Sequence, residues 1–171
     1  MFTLVVGDAG SGKSAFAESL ALSLPGRPIY LATMEPREDG ECRARIARHR
    51  LARAGRGFVT VERSMALEEL ALPWESSVLL ECVGNLVANE LYSSGGGGAR
   101  GALEGVEALL ARCRHLTAVT NEVCSGGADY LGDTLTYLRA LAWVNRELAR
   151  RADRVVEVVC ALPQVRKGAA V

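Results

Sequence analysis

Short apolar runs alternate along this chain with longer segments in which apolar residues recur at helical spacing. The short runs predict strands and the longer segments predict helices, because each spacing turns one face of an element towards a core. Strands separated by helices in this rhythm form βαβ units, which predicts an α/β fold with a mostly parallel central sheet flanked by helices. The predicted strands are 2–6, 28–32, 58–61, 78–81, 116–120 and 155–160, and the predicted helices are 14–24, 37–56, 66–72, 85–92, 100–113 and 133–151.

A glycine-rich turn joins the first predicted strand to the first predicted helix. It fits the pattern G-x-x-x-x-G-K-[ST] at every fixed position, with the residues Gly7, Asp8, Ala9, Gly10, Ser11, Gly12, Lys13 and Ser14. Such a turn aims backbone N–H groups and a helix N-terminus at a phosphate chain, while its lysine reaches the β- and γ-phosphates and its hydroxyl binds Mg²⁺. We therefore predict a P-loop NTPase-like domain that binds a nucleoside triphosphate, with Lys13 as a catalytic residue and Ser14 as a metal ligand.

Composition restricts the class of protein further. The 171 residues suffice for one core, so we predict a single domain over 1–171. A formal net charge of zero argues against a nucleic-acid-binding protein that relies on bulk electrostatics. No apolar run approaches the ~18 residues that span a bilayer, and the first strand begins without a basic leader, so we expect a cytoplasmic protein. The five cysteines form no C-x-x-C pair, which argues against a zinc site or a disulfide framework.

A basic segment at 43–53 carries one of the two histidines. In a helix, Arg45, His49 and Arg53 would share one face. A neutral imidazole is a nucleophile, and guanidinium groups around it would stabilise charge on an attacked phosphate. From spacing alone, however, a solvated basic helix face that carries one histidine is the better explanation.

Acidic residues follow several predicted strands. Glu81 ends the strand 78–81, where a P-loop protein usually keeps an acidic group near Mg²⁺, and Glu62 follows the strand 58–61. Ligands of open α/β sheets gather at the carboxyl ends of the strands, so both side chains are candidates for one cleft. We predict Glu81 as a second Mg²⁺ ligand. Asn121 and Glu122 lie at the same edge and are weaker candidates.

These segments, in this order, resemble the bifunctional adenosylcobinamide kinase/adenosylcobinamide-phosphate guanylyltransferase family of cobalamin biosynthesis, over nearly the whole chain. The resemblance rests on G-D-A-G-S-G-K-S at 7–14, Y-L-A-T at 30–33, R-I-A-R-H-R at 45–50, L-L-E-C at 79–82, T-N-E-V at 120–123 and V-N-R-E-L-A-R-R-A-D-R-V at 144–155. It implies a P-loop α/β domain that assembles as a homotrimer.

The resemblance also implies a two-stage reaction. First, ATP or GTP gives its γ-phosphoryl group to the aminopropanol hydroxyl of adenosylcobinamide. A histidine then attacks the α-phosphorus of a GTP molecule, and the GMP passes to adenosylcobinamide phosphate to give adenosylcobinamide-GDP. His49 falls on the nucleophile position of the family. The resemblance therefore implies a catalytic His49, whereas spacing alone favours a solvated basic helix face. The nucleotide-binding residues implied beyond the loop are Ala32, Thr33, Met34, Arg50, Leu51, Ala52, Arg53, Glu62 and Glu81.

Two other functions remain open from the sequence. A monofunctional P-loop kinase that acts on a small molecule would need the loop but not the histidine. A non-catalytic GTP-binding regulatory module would bind GTP without forming a histidine adduct and without turnover.

Overall fold

The computed structural model describes residues 1–35, 55–123 and 130–169. Within these ranges, seven strands and four α-helices alternate much as the apolar pattern predicts. The strands are β1 Phe2–Gly7, β2 Arg27–Ala32, β3 Val59–Glu62, β4 Ser76–Leu80, β5 His115–Asn121, β6 Arg154–Val159 and β7 Leu162–Lys167. The helices are α1 Lys13–Ser23, α2 Val83–Tyr92, α3 Gly98–Arg112 and α4 Gly132–Arg151.

All seven strands form one sheet in the order β3-β2-β4-β5-β1-β6-β7. Every pairing is parallel except that of β6 with β7. The carboxyl ends of β1 to β6 therefore meet at one edge, and the P-loop strand β1 lies between β5 and β6. This arrangement confirms the predicted α/β fold with a mostly parallel central sheet. Among the described helices, none is long and apolar enough to cross a membrane.

Helices cover both faces of the sheet. The helix α1 packs on one face, where Val5, Ala17, Leu79 and Val119 belong to one buried apolar cluster. The helices α2, α3 and α4 pack on the other face, in a larger cluster that includes Leu4. All five residues of β4 are buried, as expected for a central strand with helices on both sides.

Two elements differ from the sequence prediction. The helix predicted at 66–72 is only a 3₁₀ turn, Leu67–Glu69, because Ala66 before it has φ of 52° and Leu70 after it is extended. The strand β7 was not predicted at all. Its residues are exposed on both faces, so they give no apolar alternation, and its hairpin turn contains none of the usual glycine, asparagine or aspartate. The predicted helix 37–56 falls almost entirely outside the described residues.

A buried carboxylate organises the connection between α2 and α3. Glu90 is 5% exposed, and its two carboxylate oxygens accept hydrogen bonds from the backbone N–H groups of Ala66 (2.9 Å) and Gly97 (2.8 Å). A Cβ at Gly96 would approach the Glu90 carbonyl oxygen to 2.2 Å, and one at Gly101 would approach its carboxylate to 2.8 Å. These glycines are therefore needed to let the backbone wrap closely around Glu90.

We expect Glu90→Ala to lower the free energy of unfolding by about 2–3 kcal/mol, because it leaves two N–H groups without a charged acceptor. Equilibrium unfolding in urea would measure the change. The matched control is Glu104→Ala on α3, where the side chain is 63% exposed and pairs with Arg100 across one turn. The control should change stability by less than about 0.5 kcal/mol. Equal losses in both variants would contradict a specific role of the buried carboxylate.

Candidate nucleotide site

The phosphate-binding loop lies between the carboxyl end of β1 and the start of α1, as its sequence predicts. Gly10 and Gly12 have φ of 75° and 89°, and the Ser11 N–H donates to the Asp8 carbonyl oxygen at 3.1 Å. A Cβ at Gly12 would lie 3.0 Å from the Cα of Ala161, so both the positive φ and the close approach favour glycine there. The loop therefore has the tight turn that a phosphate cradle requires.

The helix α1 begins at this loop without a side-chain cap. Gly12 is its N-cap residue, and it supplies no side-chain hydrogen bond to the first turn. The N–H groups of a first helical turn carry partial positive charge and lack intrahelical acceptors. An anion placed over the loop would supply acceptors to them. The exposed side chain of Ser14 stands in the same turn.

Lys13 is the first residue of α1 and is 9% exposed. Its Nζ donates to the Asp8 carbonyl oxygen at 3.0 Å, within the loop itself. Burial lowers the pKa of Lys13. The thiolate form of Cys82 and the carboxylate of Asp8 would each raise that pKa. A triphosphate on the loop would favour the ammonium form further, because its charge lies close to a poorly solvated cation.

The ends of β2, β3 and β4 bring further predicted residues to the same edge of the sheet. Ala32 pairs with Glu62 across β2 and β3. Glu81 follows β4 directly, and its N–H donates to the Leu31 carbonyl oxygen at 3.0 Å. Parallel pairing thus places Ala32, Glu62 and Glu81 at the carboxyl edge, on the side of β1 that carries β5.

Two side chains hold this edge together: Asn89, which the sequence analysis does not single out, and Thr33, which it names as a nucleotide-binding residue. Asn89 is 7% exposed, and its Nδ2 donates to the carbonyl oxygens of Thr33 (2.8 Å) and Ser64 (2.9 Å). Thr33 Oγ1 in turn donates to the Cys82 carbonyl oxygen at 2.9 Å. The segment after β2 is therefore fixed to α2 and to the end of β4, and half-buried Met34 follows it. An isolated Asn in an apolar helix gives no sequence signal of this role.

Cys82 is the N-cap residue of α2, and its Sγ accepts a hydrogen bond from the Asn85 N–H at 3.4 Å. Burial raises the pKa of the Cys82 thiol, so it remains protonated at neutral pH. Cys82 therefore caps α2 at the end of β4 and has no nucleophilic character at neutral pH.

The donors available for a metal ion are oxygens. The Ser14 hydroxyl and the Glu81 carboxylate are both hard ligands, which suits Mg²⁺. Mg²⁺ keeps several waters and is usually held by one or two protein groups together with substrate phosphates. The residue types at this edge therefore fit a magnesium–nucleotide complex.

A cavity of ≈ 350 Å³ opens beside the loop, at the carboxyl ends of β5, β1 and β6. It is lined by the loop residues Gly7–Ser11, by Glu122 and by the end of β6 with the turn after it, Glu157–Cys160. The Ala161 N–H in this turn donates to the Ser11 carbonyl oxygen at 2.7 Å. Glu122 is one of the weaker candidates from the sequence. The sequence gives no signal for the hairpin, because the exposed strand β7 shows no apolar alternation.

Five predicted site residues lie outside the described residues, and the structure therefore does not place them. They are His49, Arg50, Leu51, Ala52 and Arg53.

The chain is similar to known proteins over most of its length. A family model described as "Cobinamide kinase / cobinamide phosphate guanyltransferase" (CobU) matches residues 3–165. The "Bifunctional adenosylcobalamin biosynthesis protein CobU" of Escherichia coli K12 is 34% identical over 93% of this chain and 96% of its own length. Its namesake in Salmonella typhimurium LT2 is 32% identical over the same shares of each chain. The "Bifunctional adenosylcobalamin biosynthesis protein CobP" of Pseudomonas aeruginosa is 31% identical over 98% of each chain.

The family match covers the P-loop, the central sheet and the β6–β7 hairpin as far as Val165. Two of the three relatives are similar over 96% of their own length, and the third over 98%. The protein is therefore an enzyme, and it belongs to the cobinamide kinase / cobinamide phosphate guanyltransferase family.

Proposed function

We propose that this protein carries out both reactions of its family in cobalamin biosynthesis, with adenosylcobinamide as the first acceptor and adenosylcobinamide phosphate as the second. The observation that carries the proposal is the phosphate loop between β1 and α1, with Lys13 buried at the helix start. The names of the three relatives, each called bifunctional, support it.

In the kinase step, the hydroxyl oxygen of the acceptor attacks the γ-phosphorus of ATP or GTP. The bond between the γ-phosphorus and the β,γ-bridging oxygen breaks, the nucleoside diphosphate leaves with the electron pair, and the hydroxyl proton is released. Lys13 and the N–H groups at the start of α1 stabilise the charge that develops on the phosphate oxygens.

In the guanylyl-transfer step, we assign the nucleophile to His49, with Arg50–Arg53 beside the nucleotide. The imidazole nitrogen attacks the α-phosphorus of GTP, and the α,β-bridging P–O bond breaks to release pyrophosphate. A phosphate oxygen of adenosylcobinamide phosphate then attacks the same phosphorus and displaces the imidazole. Two in-line displacements replace one difficult substitution, and Lys13 stabilises the departing pyrophosphate.

Ser14 and Glu81 are the residues that we assign to Mg²⁺. When bound, the ion neutralises phosphate charge and favours the departure of the leaving group. Thr33, Met34 and Glu62 are assigned to the same nucleotide, since they lie with Ala32 at the ends of β2 and β3. We also propose that the protein is a cytoplasmic homotrimer. Size-exclusion chromatography with light scattering would measure the molar mass and so test the number of subunits.

Incubation with Mg²⁺ and GTP labelled at the α-phosphorus tests the transferase half directly. We expect a label that survives denaturation, is lost in acid and is retained in alkali, as a phosphoramidate bond requires. GTP labelled at the γ-phosphorus should leave no label on the protein. GTP binding without an α-derived label would contradict the covalent mechanism and would favour a monofunctional kinase. Addition of adenosylcobinamide phosphate to the labelled protein should release the label as adenosylcobinamide-GDP.

A further inference from the structure

Another cavity, of ≈ 590 Å³, opens at the carboxyl edge of the sheet beyond the end of β3. Residues 63–66, which follow β3, and residues 93–95, which follow α2, line it. The Arg63 N–H donates to the Ala32 carbonyl oxygen at 2.9 Å. Asn89 Nδ2 donates to the Ser64 carbonyl oxygen at 2.9 Å and so fixes this segment to α2. The cavity therefore lies at the same edge of the sheet as the phosphate loop, in a fixed framework.

The described part of the cavity wall offers mainly hydrogen-bond acceptors. The guanidinium of Arg63 is already bound, because its Nε donates to the Met65 carbonyl oxygen at 2.8 Å and its Nη2 donates to the Glu69 carboxylate. Among the described lining residues, one arginine and two glutamates give a formal charge of −1. The side chains with oxygen atoms in this wall are those of Glu35, Ser64, Glu69, Ser93 and Ser94.

Such a wall discriminates among the groups that the two substrates carry. It repels phosphate, and it attracts groups that donate hydrogen bonds or carry positive charge. Adenosylcobinamide carries primary carboxamides around its corrin ring, each with two N–H donors, and a positive charge at its cobalt centre. The guanine base also has N–H donors, but it is neutral, and a nucleobase is smaller than this cavity. The chemistry of the wall therefore favours the rim of the corrinoid over the base.

The position of the cavity along the sheet edge fits the size of this acceptor. The strand order β3-β2-β4-β5-β1 puts β3 four strand spacings from the strand that carries the phosphate loop. Because neighbouring strands lie about 4.8 Å apart, the end of β3 is about 19 Å from that loop. In adenosylcobinamide, the path from the aminopropanol hydroxyl across the corrin ring to a carboxamide on its far side is roughly 20 Å, given bonds of about 1.5 Å. One corrinoid can therefore reach both places at once.

We propose that the cavity between the end of β3 and the end of α2 binds the carboxamide-bearing rim of the corrinoid acceptor, while the aminopropanol hydroxyl of the same molecule reaches the phosphate loop. This inference rests on the proposed function, because it takes adenosylcobinamide as the acceptor. It assigns Ser64, Glu69 and Ser94 as hydrogen-bond acceptors for the carboxamide N–H groups.

Equilibrium dialysis of adenosylcobinamide against the whole protein measures this binding directly, because the corrin ring absorbs visible light. The dialysis is done in the dark, with Mg²⁺ and the β,γ-imido analogue of ATP on the loop. Ser94→Trp adds a large ring at an exposed lining position. We expect it to raise the Kd for adenosylcobinamide at least ~10-fold, because the indole takes the place of the carboxamides. The matched control is Ser23→Trp at the exposed end of α1, on the opposite edge of the sheet, and it should leave this Kd within about 2-fold.

The outcomes separate this inference from the proposed function. If Ser94→Trp binds adenosylcobinamide as tightly as the wild type, the inference is overturned, while phosphorylation of adenosylcobinamide by the wild type would still support the proposed function. If Ser94→Trp weakens binding of the α,β-methylene analogue of GTP at least as much as binding of adenosylcobinamide, the cavity belongs to the guanine base. That result also overturns the inference. If the wild type neither binds nor phosphorylates adenosylcobinamide, the proposed function itself fails, and the inference fails with it.

A change in the ligand tests the proposal on the unaltered protein. Partial hydrolysis converts single carboxamides of adenosylcobinamide into carboxylates, and ion exchange separates the isomers. We expect at least one isomer to bind at least ~5-fold more weakly than the parent, because it replaces two N–H donors by a negative charge beside Glu69. Glu69→Gln should restore at least ~3-fold of that isomer's affinity, and the control Glu104→Gln, whose side chain is similarly exposed (63% against 67%), should restore none. Isomers that all bind like the parent, or equal recovery in both variants, would overturn the proposal.

Discussion

Replacement of His49 by alanine is expected to abolish the protein-bound label from α-labelled GTP and the formation of adenosylcobinamide-GDP. Alanine offers no nucleophile, and removal of the attacking group from a covalent mechanism costs essentially all of the rate that depends on it. The kinase reaction does not use the imidazole in the proposed mechanism. Phosphorylation of adenosylcobinamide by ATP should therefore remain within about 10-fold of the wild-type rate. Parallel assays of the two reactions on one preparation would measure both outcomes.

The chain contains its own control for this experiment, because it has one other histidine. His115 begins β5 at the amino edge of the sheet, opposite to the phosphate loop. His115→Ala should label as efficiently as the wild type, provided that its thermal unfolding shows a folded protein. Labelling that persists in His49→Ala would show that another residue carries the GMP, and loss of label in both variants would indicate a general defect in folding.

Lys13→Met is expected to lower kcat/KM of both reactions by ~1,000-fold, because both depend on charge stabilisation at the phosphate loop. Methionine keeps much of the length and apolar volume of the lysine side chain, and Lys13 is only 9% exposed, so we expect the fold to persist. The loss should appear mainly in kcat if the ammonium acts on charge that develops during bond breaking. Steady-state kinetics over a range of GTP concentrations for one reaction, and over a range of ATP concentrations for the other, would separate kcat from KM.

Lys167 is the other lysine of the chain and provides the matched substitution. Its Nζ donates to the carbonyl oxygens of Ala149 and Arg150 at the end of α4. Lys167 pairs with Val155 near the start of β6, at the edge of the sheet opposite to the loop. Lys167→Met should leave both reactions within about 2-fold of wild type. If Lys13→Met left the kinase reaction unchanged, the two reactions could not both depend on this phosphate loop. The kinase reaction would then require a second nucleotide site that does not include Lys13.

Most of the fold could be predicted from the sequence, because the strands in the middle of the sheet are rich in apolar residues. Strands such as β1 and β4 are buried on both faces and give continuous apolar runs, and the loop after β1 has fixed glycine and lysine positions. The 3₁₀ turn at Leu67–Glu69 was mistaken for a helix because local composition does not show where a left-handed residue such as Ala66 interrupts the chain.

The amino-acid pattern alone indicates the class of chemistry, because Gly7–Ser14 after a buried strand is typical of a phosphate site and the order of the motifs indicates the family. The surroundings of that site, in contrast, depend on how distant segments pack together. Parallel pairing brings Ala32, Glu62 and Glu81 together from distant segments. Asn89 fixes the segments that follow β2 and β3 through hydrogen bonds to Thr33 and Ser64, which lie 56 and 25 positions away along the chain. The hairpin turn at Cys160 reaches the loop through a strained backbone that composition does not encode. Such contacts depend on strand order and register, which local sequence does not specify.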